Sequence, residues 1–438
     1  MKNVMIAATG SGSGKTTFAT GLMNILKDRN VHAFKCGPDY IDPMFHKEVL
    51  GIPSTNLDSF FCDKEQLKAV FYDNAGDINI IEAAMGLYDG IGVTKKTSAY
   101  ETATALNVPI VLLVNGYGMG YSIIPMIKGF LLEDSNRLIK GIVINRISEK
   151  YYKKIAPVIE KETGIKVYGF IPKIKDAELK SRHLGLLTPK EAEFKTKISL
   201  ICNQLEDSVD IESILKDCEA EDINDIEEAA ELGTDLQWMI DDFFNIVSHP
   251  KIAIAKDEAF SFIYEENIKC FERAGGRVCY FSPIHDDTIP NDCDLIVLYG
   301  GYPENYAMEL SQNKSMLSSI REANDRGVKI IAECGGFMYL LDSIEVDGIN
   351  YDMAGIIAGR AYRTKSLVRF GYVSLFSKEL TIKGHEFHHY DVDGVKYSDD
   401  IVLKNASSGE EYKGIVCTSN IFAGFPHLYY LSVQRTEL

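Results

Sequence analysis

The sequence lacks the cysteine spacing and the long apolar runs that define several common protein classes. Its nine cysteines are scattered and none forms a C-x-x-C pair, which argues against a structural zinc site. An odd, dispersed set is typical of reduced thiols in the cytoplasm. Apolar runs such as 108–114 are far shorter than the roughly 20 residues that a membrane-spanning helix needs. A glycine-rich stretch interrupts the first apolar run, so no signal peptide is expected.

Positive charge is also in short supply. The chain carries 46 Lys and Arg against 63 Asp and Glu, for a formal net charge of -17. This balance argues against a general nucleic-acid or anionic-membrane binder, although a local basic pocket remains compatible with it. The composition, 46% hydrophobic and 25% charged, is that of a soluble globular protein. At 438 residues the chain is too long for one ordinary core. We predict a first domain over 1–200, a helical end and linker over 201–250, and a second domain over 251–438.

The most informative feature is a glycine-rich stretch over 9–17, T-G-S-G-S-G-K-T-T, between an apolar run and a helical pattern. Strand, glycine loop and helix form the context of a phosphate-binding loop. Lys15 would reach the β- and γ-phosphates of ATP, and the Thr16 hydroxyl would hold Mg²⁺. Thr9 stands where the strict pattern has Gly, and a glycine turn without a ligand is the alternative. The predicted ATP-binding residues are Gly10, Gly12, Ser13, Gly14, Lys15, Thr16 and Thr17, with Asn145.

Residues 1–200 alternate short β-like runs with helical segments. The candidate strands are 4–8, 32–35, 78–82, 109–114, 141–144 and 167–171. Such alternation predicts an α/β fold, a doubly wound parallel sheet with helices on both faces. Ligands of such sheets gather at the carboxyl ends of the strands. We therefore expect the polar residues that follow these strands to form a site.

Carboxylates follow several of the predicted strands. Asp39 and Asp42 lie in the loop K-C-G-P-D-Y-I-D-P-M-F-H, and Glu82 ends the run I-N-I-I-E. Asp39 and Glu82 are candidate Mg²⁺ ligands, since Mg²⁺ takes oxygen ligands. A helix cap or solvated turn is the alternative for any one of them. Asn145-Arg146 could either bracket a nucleotide base or cap the following helix. Residues 200–250 contain an acidic run, 219–231, and an amphipathic helix, 235–247, with the only tryptophan, Trp238.

A second α/β pattern begins at Lys251, with candidate strands at 252–255, 277–281, 295–298 and 329–332. The last strand runs into Glu333-Cys334-Gly335-Gly336 and a helical pattern over 337–341. This arrangement is typical of a nucleophile elbow, although Ala332 holds the position of its first glycine. The helix N-terminus would favour a Cys334 thiolate, and backbone N–H groups would form an oxyanion hole.

Cys334 then requires a base, and His385, His388, His389 and His427 are the downstream candidates. We favour His427, which follows a Gly-Phe-Pro turn near the end of the chain, since an acyl-transfer cysteine calls for a late histidine. An ordinary core or surface histidine is the alternative. A metal site in 384–390 would need a helix, and that stretch is β-like.

Together these motifs resemble the cobyrinic acid a,c-diamide synthase family, the glutamine-dependent a,c-diamide synthases of tetrapyrrole biosynthesis. The resemblance covers essentially the whole chain. It rests on G-S-G-S-G-K-T-T, K-C-G-P-D-Y-I-D-P-M-F-H, N-L-D, M-G-L-Y-D-G, G-G-Y-P-E, A-E-C-G-G-F-M-Y-L and G-H-E-F-H. It implies a dethiobiotin-synthetase-like ATP domain followed by a class I glutamine amidotransferase domain, again with a doubly wound, mostly parallel sheet. Ala83 stands where the family usually has Gly. Tyr429 replaces the Glu of ordinary class I amidotransferases, which leaves a Cys–His dyad.

The resemblance implies a mechanism with two half-reactions. Cys334 would attack the side-chain amide of L-glutamine, His427 would move the proton, and N–H groups near Gly301 and Gly335 would stabilise the oxyanion. Ammonia would then displace phosphate from an acyl phosphate that ATP forms on a tetrapyrrole carboxylate. Mg²⁺ would lie on Thr16, Asp39 or Glu82. The residues expected to contact the macrocycle or ammonium are Asp42, Asp58, Asp89 and His385.

The identity of the macrocycle stays open between cobyrinic acid, which we favour, and hydrogenobyrinic acid or nickel sirohydrochlorin. An alternative of another class is a non-catalytic P-loop switch of the partition-ATPase kind. That alternative leaves Cys334 and the second α/β domain without a use. We further expect a cytoplasmic protein that binds neither nucleic acid nor membrane, with a homodimer as one candidate assembly.

Overall fold

The computed structural model describes residues 1–174, 191–219 and 249–436. The helix predicted over 235–247, with Trp238, lies outside these residues, as does the acidic run after Glu219. The chain forms two compact units, Met1–Ala230 and Glu231–Leu438. Their common boundary falls inside the segment predicted as a linker.

Unit 1 is built on a seven-stranded sheet in which every neighbouring pair is parallel. Its strands are Lys2–Ala8 (β1), Val31–Cys36 (β2), Ser54–Leu57 (β3), Ile78–Glu82 (β4), Ile110–Asn115 (β5), Ile139–Asn145 (β6) and Lys166–Ile171 (β7). Their order across the sheet is β3-β2-β4-β1-β5-β6-β7. Successive residues of β1 are buried on both sides, as a parallel sheet covered by helices requires. The predicted α/β class is confirmed.

Helices connect the strands of unit 1. They are Lys15–Leu26 (α1), Ile41–Phe45 (α2), Lys64–Asn74 (α3), Ala99–Leu106 (α4), Ile123–Glu133 (α5), Glu149–Thr163 (α6), Glu191–Ser208 (α7) and Ile211–Asp217 (α8), with a π-helical turn over His46–Leu50. Helix α1 buries Phe18, Leu22 and Leu26 in the core. Gly21 lets α7 approach closely, since a Cβ there would overlap the Leu205 side chain.

Unit 2 has a central six-stranded sheet. It comprises Lys251–Ala255 (β8), Arg277–Phe281 (β9), Leu295–Leu298 (β10), Lys329–Glu333 (β11), Ile415–Cys417 (β20) and Ile421–Gly424 (β21). The order is β20-β21-β11-β10-β8-β9, and all pairs are parallel except β20 with β21. Its helices are Glu265–Arg273 (α9), Ala307–Gln312 (α10), Lys314–Asp325 (α11) and Gly335–Leu340 (α12), with short 3₁₀ turns at Pro303–Tyr306 and Tyr430–Ser432.

Two further sheets in unit 2 were not predicted. Their strands are Leu341–Val346 (β12), Ile349–Asp352 (β13), Ile357–Arg363 (β14), Arg369–Phe376 (β15), Leu380–His388 (β16), Tyr390–Asp393 (β17), Val402–Asn405 (β18), Glu411–Tyr412 (β19), His427–Leu428 (β22) and Gln434–Arg435 (β23). One sheet has the order β13-β12-β14-β17 and the other β19-β18-β15-β16-β22, with β23 also on β16. The antiparallel pairing of β16 with β22 sets His385 opposite His427.

Candidate active sites

The glycine loop of unit 1 connects β1 to α1, as predicted. Gly14 has a φ of 95° and precedes the first residue of α1, a backbone conformation that favours glycine. Gly12, with a φ of 71°, also adopts the left-handed conformation. Gly10 lies against a second loop, since a Cβ on Gly86 would come 3.3 Å from its Cα. The loop thus turns its N–H groups and a helix N-terminus toward one place, an arrangement that binds phosphate.

Asn145 supports the glycine loop. Its Nδ2 donates a hydrogen bond of 2.7 Å to the Ser13 carbonyl oxygen. The alternative role that the sequence left open, capping of α6, belongs to Ser148, whose Oγ accepts from the Tyr151 N–H. Asn145 also lines a cavity of about 570 Å³ next to the loop. The cavity is bordered by Gly14, Thr17, Arg146, Ser148 and Pro172 among others.

The carboxyl ends of β2 and β4 bring Lys35 and Glu82 together, and Lys35 is a site residue that the sequence analysis missed. Lys35 Nζ lies 3.0 Å from Glu82 Oε1 and 2.5 Å from Asp42 Oδ2. Thr16 Oγ1 donates to the same Glu82 oxygen at 2.7 Å. Lys15 is buried and donates to the Met85 carbonyl oxygen. Lys35 could have been suspected from its place at the end of a strand, directly before the acidic loop.

Burial and neighbouring charges shift the pKa values of these groups. Burial disfavours a charged Lys35, yet the carboxylates of Glu82 and Asp42 raise its pKa well above the ordinary value. Burial raises the pKa of Glu82, against the pull of Lys35. Burial would raise the pKa of Asp42, but the positive charge of Lys35 outweighs the effect of burial, so the pKa of Asp42 is lowered. Burial and then the Lys35 charge lower the pKa of Lys15. The cluster therefore couples the lysines and carboxylates around the phosphate loop.

The other predicted carboxylates form local turns. Asp39 Oδ1 accepts from the Asp42 N–H at 2.9 Å, and burial followed by the Asp42 charge raises the pKa of Asp39. Asp58 Oδ1 accepts from the Phe60 N–H at 2.8 Å. Asp89 Oδ2 accepts from the Gly86 N–H at 2.8 Å. These hydrogen bonds match the alternative interpretation, in which an acidic side chain stabilises a turn.

Thr16 and Glu82 fit a magnesium ion better than Asp39 does. Their oxygen atoms are in direct contact at 2.7 Å. Glu82 is fully buried, and its Oε2 has no hydrogen bond to any residue that the structure describes. Within the described ranges, no group of three or more His, Cys, Asp or Glu is placed to hold a metal by itself. Mg²⁺ usually binds through one or two protein oxygens, substrate phosphates and water, so the pair is sufficient.

In unit 2, Cys334 occupies a sharp turn between β11 and α12. Its φ of 48° and ψ of -105° are unusual for a residue other than glycine. The Cys334 N–H donates to the Gly424 carbonyl oxygen at 2.8 Å, which fixes the turn to β21. A Cβ on Gly335 would come 3.2 Å from the Gly301 nitrogen, so these two backbone segments lie side by side. This geometry is that of a nucleophile elbow with backbone N–H groups next to it.

Burial of Cys334 acts against the thiolate that the sequence predicts. Burial, and then the negative charge of Glu304, raise the pKa of Cys334 above its ordinary value. The backbone hydrogen bond at Gly335 opposes this shift but does not overcome it. The helix N-terminus is expected to favour thiolate, whereas desolvation of the buried sulfur disfavours the charged form. The thiolate at Cys334 stays a prediction, and a base would assist its formation.

His427 is the predicted base. It is buried in β22, and burial lowers its pKa well below the ordinary value, with smaller contributions from His385 and His388. A neutral imidazole can accept the thiol proton, whereas a protonated one cannot. A Cβ on Gly300 would overlap Cε1 of His427, so the edge of the imidazole ring meets the turn that leads to Gly301. His427 follows Gly424 by three residues, and the Gly424 carbonyl oxygen accepts a hydrogen bond from the Cys334 N–H.

His385 lies beside His427 in unit 2, and its predicted contact with the substrate stays a prediction. It is buried, and its ring stacks on that of His427 with centroids 4.9 Å apart. Its Nδ1 lies 3.2 Å from the Tyr264 hydroxyl. His388 stacks on Phe425 instead, at 3.9 Å. His385 therefore packs behind the predicted base.

Glu333 is a second residue that the sequence analysis missed. Its Oε1 accepts from the Tyr430 hydroxyl at 2.7 Å, and its Oε2 accepts from the Leu428 N–H at 3.3 Å. Burial raises the pKa of Glu333 to about 8. The carboxyl group thereby connects the strand that carries His427 to the end of β11, directly before Cys334. Glu333 could have been suspected from the sequence because it stands directly before Cys334.

Comparisons with known proteins identify two domains in the chain. The profile of the CobQ/CobB/MinD/ParA nucleotide binding domain matches residues 4–187, and that of the CobB/CobQ-like glutamine amidotransferase domain matches 251–434. No helix among the described residues has the length and apolar character to cross a membrane.

Full-length relatives carry one common name. The chain is 39% identical to a cobyrinate a,c-diamide synthase of Fusobacterium nucleatum subsp. nucleatum, over 99% of each protein. It is 37% identical to one of Caldanaerobacter subterraneus subsp. tengcongensis, over 97% of this chain and 94% of the relative. A third, from Salmonella typhimurium, is 36% identical over 99% of this chain and 96% of the relative.

Proposed function

The chain belongs to the cobyrinate a,c-diamide synthase family, and we propose that it amidates the a- and c-acetate carboxylates of cobyrinic acid with ATP and glutamine. It is a glutamine-dependent amidating ligase of cobalamin biosynthesis. The observation that carries the proposal is the presence of a phosphate loop and a cysteine elbow in one chain. A nucleotide switch would use only the first of these sites.

The glutaminase half-reaction uses unit 2. His427 takes the proton of the Cys334 thiol, and the sulfur attacks the side-chain amide carbon of glutamine. N–H groups near Gly301 and Gly335 stabilise the negative oxygen of the tetrahedral intermediate. The His427 proton passes to the leaving nitrogen, so ammonia and a glutamyl thioester form. Water then hydrolyses the thioester to glutamate and restores the thiol.

The synthetase half-reaction uses unit 1. A carboxylate oxygen of the macrocycle attacks the γ-phosphorus of ATP, ADP leaves, and an acyl phosphate forms. Ammonia attacks the acyl carbon and phosphate leaves, which completes the carboxamide. Lys15 neutralises charge on the transferred phosphoryl group. Thr16 and Glu82 would hold Mg²⁺, which supplies further positive charge to the phosphates. Asn145 keeps the phosphate loop in shape through Ser13.

The macrocycle is assigned from the names of the relatives, and a substrate comparison tests it. The purified protein is incubated with ATP, glutamine and either cobyrinic acid or nickel sirohydrochlorin, and the tetrapyrrole is analysed by mass spectrometry. We expect two exchanges of carboxyl for carboxamide on cobyrinic acid, with formation of ADP and glutamate. Amidation of nickel sirohydrochlorin alone would transfer the assignment to that macrocycle, and amidation of neither would overturn the proposal.

We place this reaction in the cytoplasm, and all nine cysteines being free thiols supports that location. The homodimer stays a prediction. Light scattering of the purified protein, with and without ATP, measures the molar mass and so distinguishes a dimer from a monomer.

A further inference from the structure

The imidazole of His427 needs a neighbour that fixes its ring, because proton transfer depends on the direction of the ring nitrogens. Ordinary class I amidotransferases use a glutamate two residues after this histidine, and this chain has Tyr429 there. Tyr429 is buried and packs edge-on against Tyr264, with centroids 5.4 Å apart. The position of the usual carboxylate is therefore taken by an aromatic side chain.

We propose that His385 and Tyr264 are positioning residues for His427, with the His385 ring as a flat support and the Tyr264 hydroxyl holding that support in place. The inference rests on the proposed glutaminase reaction. Its basis is the pairing of β16 with β22, which sets His385 directly opposite His427. Directly opposed residues of antiparallel strands project to the same face, where their side chains touch.

The two imidazole rings are nearly parallel. Their planes meet at 19° and their centroids are 4.9 Å apart. A flat contact of this kind restricts rotation of His427 about its terminal side-chain torsion, which is otherwise broad for histidine. The Cε1 edge of the His427 ring meets Gly300, where an added Cβ would overlap Cε1. The His427 ring is thus held at one face by His385 and at one edge by the Gly300 backbone.

Tyr264 keeps the support in one orientation. Its hydroxyl lies 3.2 Å from His385 Nδ1, and its ring meets the His385 ring at 63°. Burial lowers the pKa of His385 to about 3, so this ring stays neutral near neutral pH. Stacking on a ring that Tyr264 fixes therefore contributes to the orientation of His427, a role that a carboxylate has elsewhere.

The test measures glutamate formation and cobyrinic acid amidation separately for four variants. His385→Ala removes the support and is expected to lower the kcat of glutamine hydrolysis about 10- to 100-fold, the scale of a misplaced catalytic group. His385→Phe keeps a flat ring and should stay within about threefold of the unchanged protein. The kcat of Tyr264→Phe should lie between those of His385→Ala and His385→Phe. His389→Ala, an exposed neighbour, serves as the matched control.

Two further readouts separate positioning from misfolding. The KM for glutamine should stay unchanged in His385→Ala, and amidation with high ammonia should be normal in all four variants, since it does not use Cys334. Equal loss in His385→Phe and His385→Ala would overturn the inference, as would normal glutamine hydrolysis in His385→Ala. If the unchanged protein formed no glutamate from glutamine, the proposed function itself would fail.

Discussion

The buried cluster around Lys35 leads to a quantitative prediction for Lys35→Met. This substitution removes the ammonium group and keeps most of the side-chain volume. In the protein, Lys35 Nζ lies 2.5 Å from Asp42 Oδ2 and 3.0 Å from Glu82 Oε1. The side chains of Lys35 and Asp42 are each 7% exposed and that of Glu82 is fully buried. The substitution therefore leaves two desolvated carboxylates without their shared counter-charge.

The expected loss follows from the burial of these partners. Removing one partner of a buried ion pair costs about 3–5 kcal/mol, because the remaining charge is uncompensated. The loss depends on pH. Without Lys35 the pKa values of Glu82 and Asp42 rise, so protons neutralise them as the pH falls. The penalty should be full near pH 8 and shrink toward pH 5, by about 1.4 kcal/mol per pH unit for each extra proton bound. Since the pKa of Lys35 is raised, the unchanged protein keeps its ammonium throughout this range.

Hydrogen exchange measured by mass spectrometry in increasing urea is the suitable assay, because the two units need not unfold together. Peptides from β2 and β4 report on unit 1, and peptides from β11 report on unit 2. Lys128→Met is the matched control, since its ion pair with Glu162 lies on the surface and should contribute no more than about 1 kcal/mol. A loss in Lys35→Met as small as that of the control, or one that is equal at pH 5 and pH 8, would refute the reasoning.

Three further predictions concern the two active sites. Cys334→Ser should abolish glutamine-dependent amidation and retain amidation with high ammonia; loss of both in a folded protein would contradict the two-site mechanism. Lys15→Ala should lower amidation by roughly two orders of magnitude or more with either nitrogen source, as measured by steady-state turnover at saturating ATP, and near-normal turnover would exclude Lys15. Burial raises the pKa of Glu333 to about 8, so its contribution to stability is complete below its ordinary pKa and is lost as the pH rises toward 8. The urea midpoint of unit 2 should therefore fall as the pH rises from 5.5 to 8.5, and Glu333→Gln should reduce this fall. If the urea midpoint of the variant fell as much as that of the unchanged protein, Glu333 would not be a neutral carboxyl group in the folded state.

Local sequence determined the parts of the molecule that depend on neighbouring residues. The glycine loop and α1 follow from glycines that permit the turn and from apolar residues three and four positions apart. Six strands of the first sheet and four of the second were predicted because runs of β-branched and apolar residues mark buried parallel strands. The elbow at Cys334 was predicted for the same reason, since a strand, a small-residue turn and a helix are adjacent in the chain.

Strands with mixed patterns needed the tertiary structure. Residues 54–57, S-T-N-L, carry little apolar signal, yet all four are buried in β3. Ser54 bonds to His46 and Thr55 to His32, so polar partners from other elements stabilise this strand. After residue 340, some strands pair with their neighbours in the chain, as β15 does with β16, whereas β14 with β17 and β16 with β22 pair across longer separations. Their register, including that of β16 with β22, is set by packing that no local window contains.

The chemistry of the sites divides in the same way. Sequence alone identified Cys334, His427, Lys15 and Thr16 as candidates, because residue type and position within a motif suggest a role. Only the folded chain revealed that Lys35 meets two carboxylates, that His385 stacks on His427, and that burial opposes ionisation of the Cys334 thiol. Those properties arise from distances and desolvation between residues far apart in the chain, and both quantities exist only after folding.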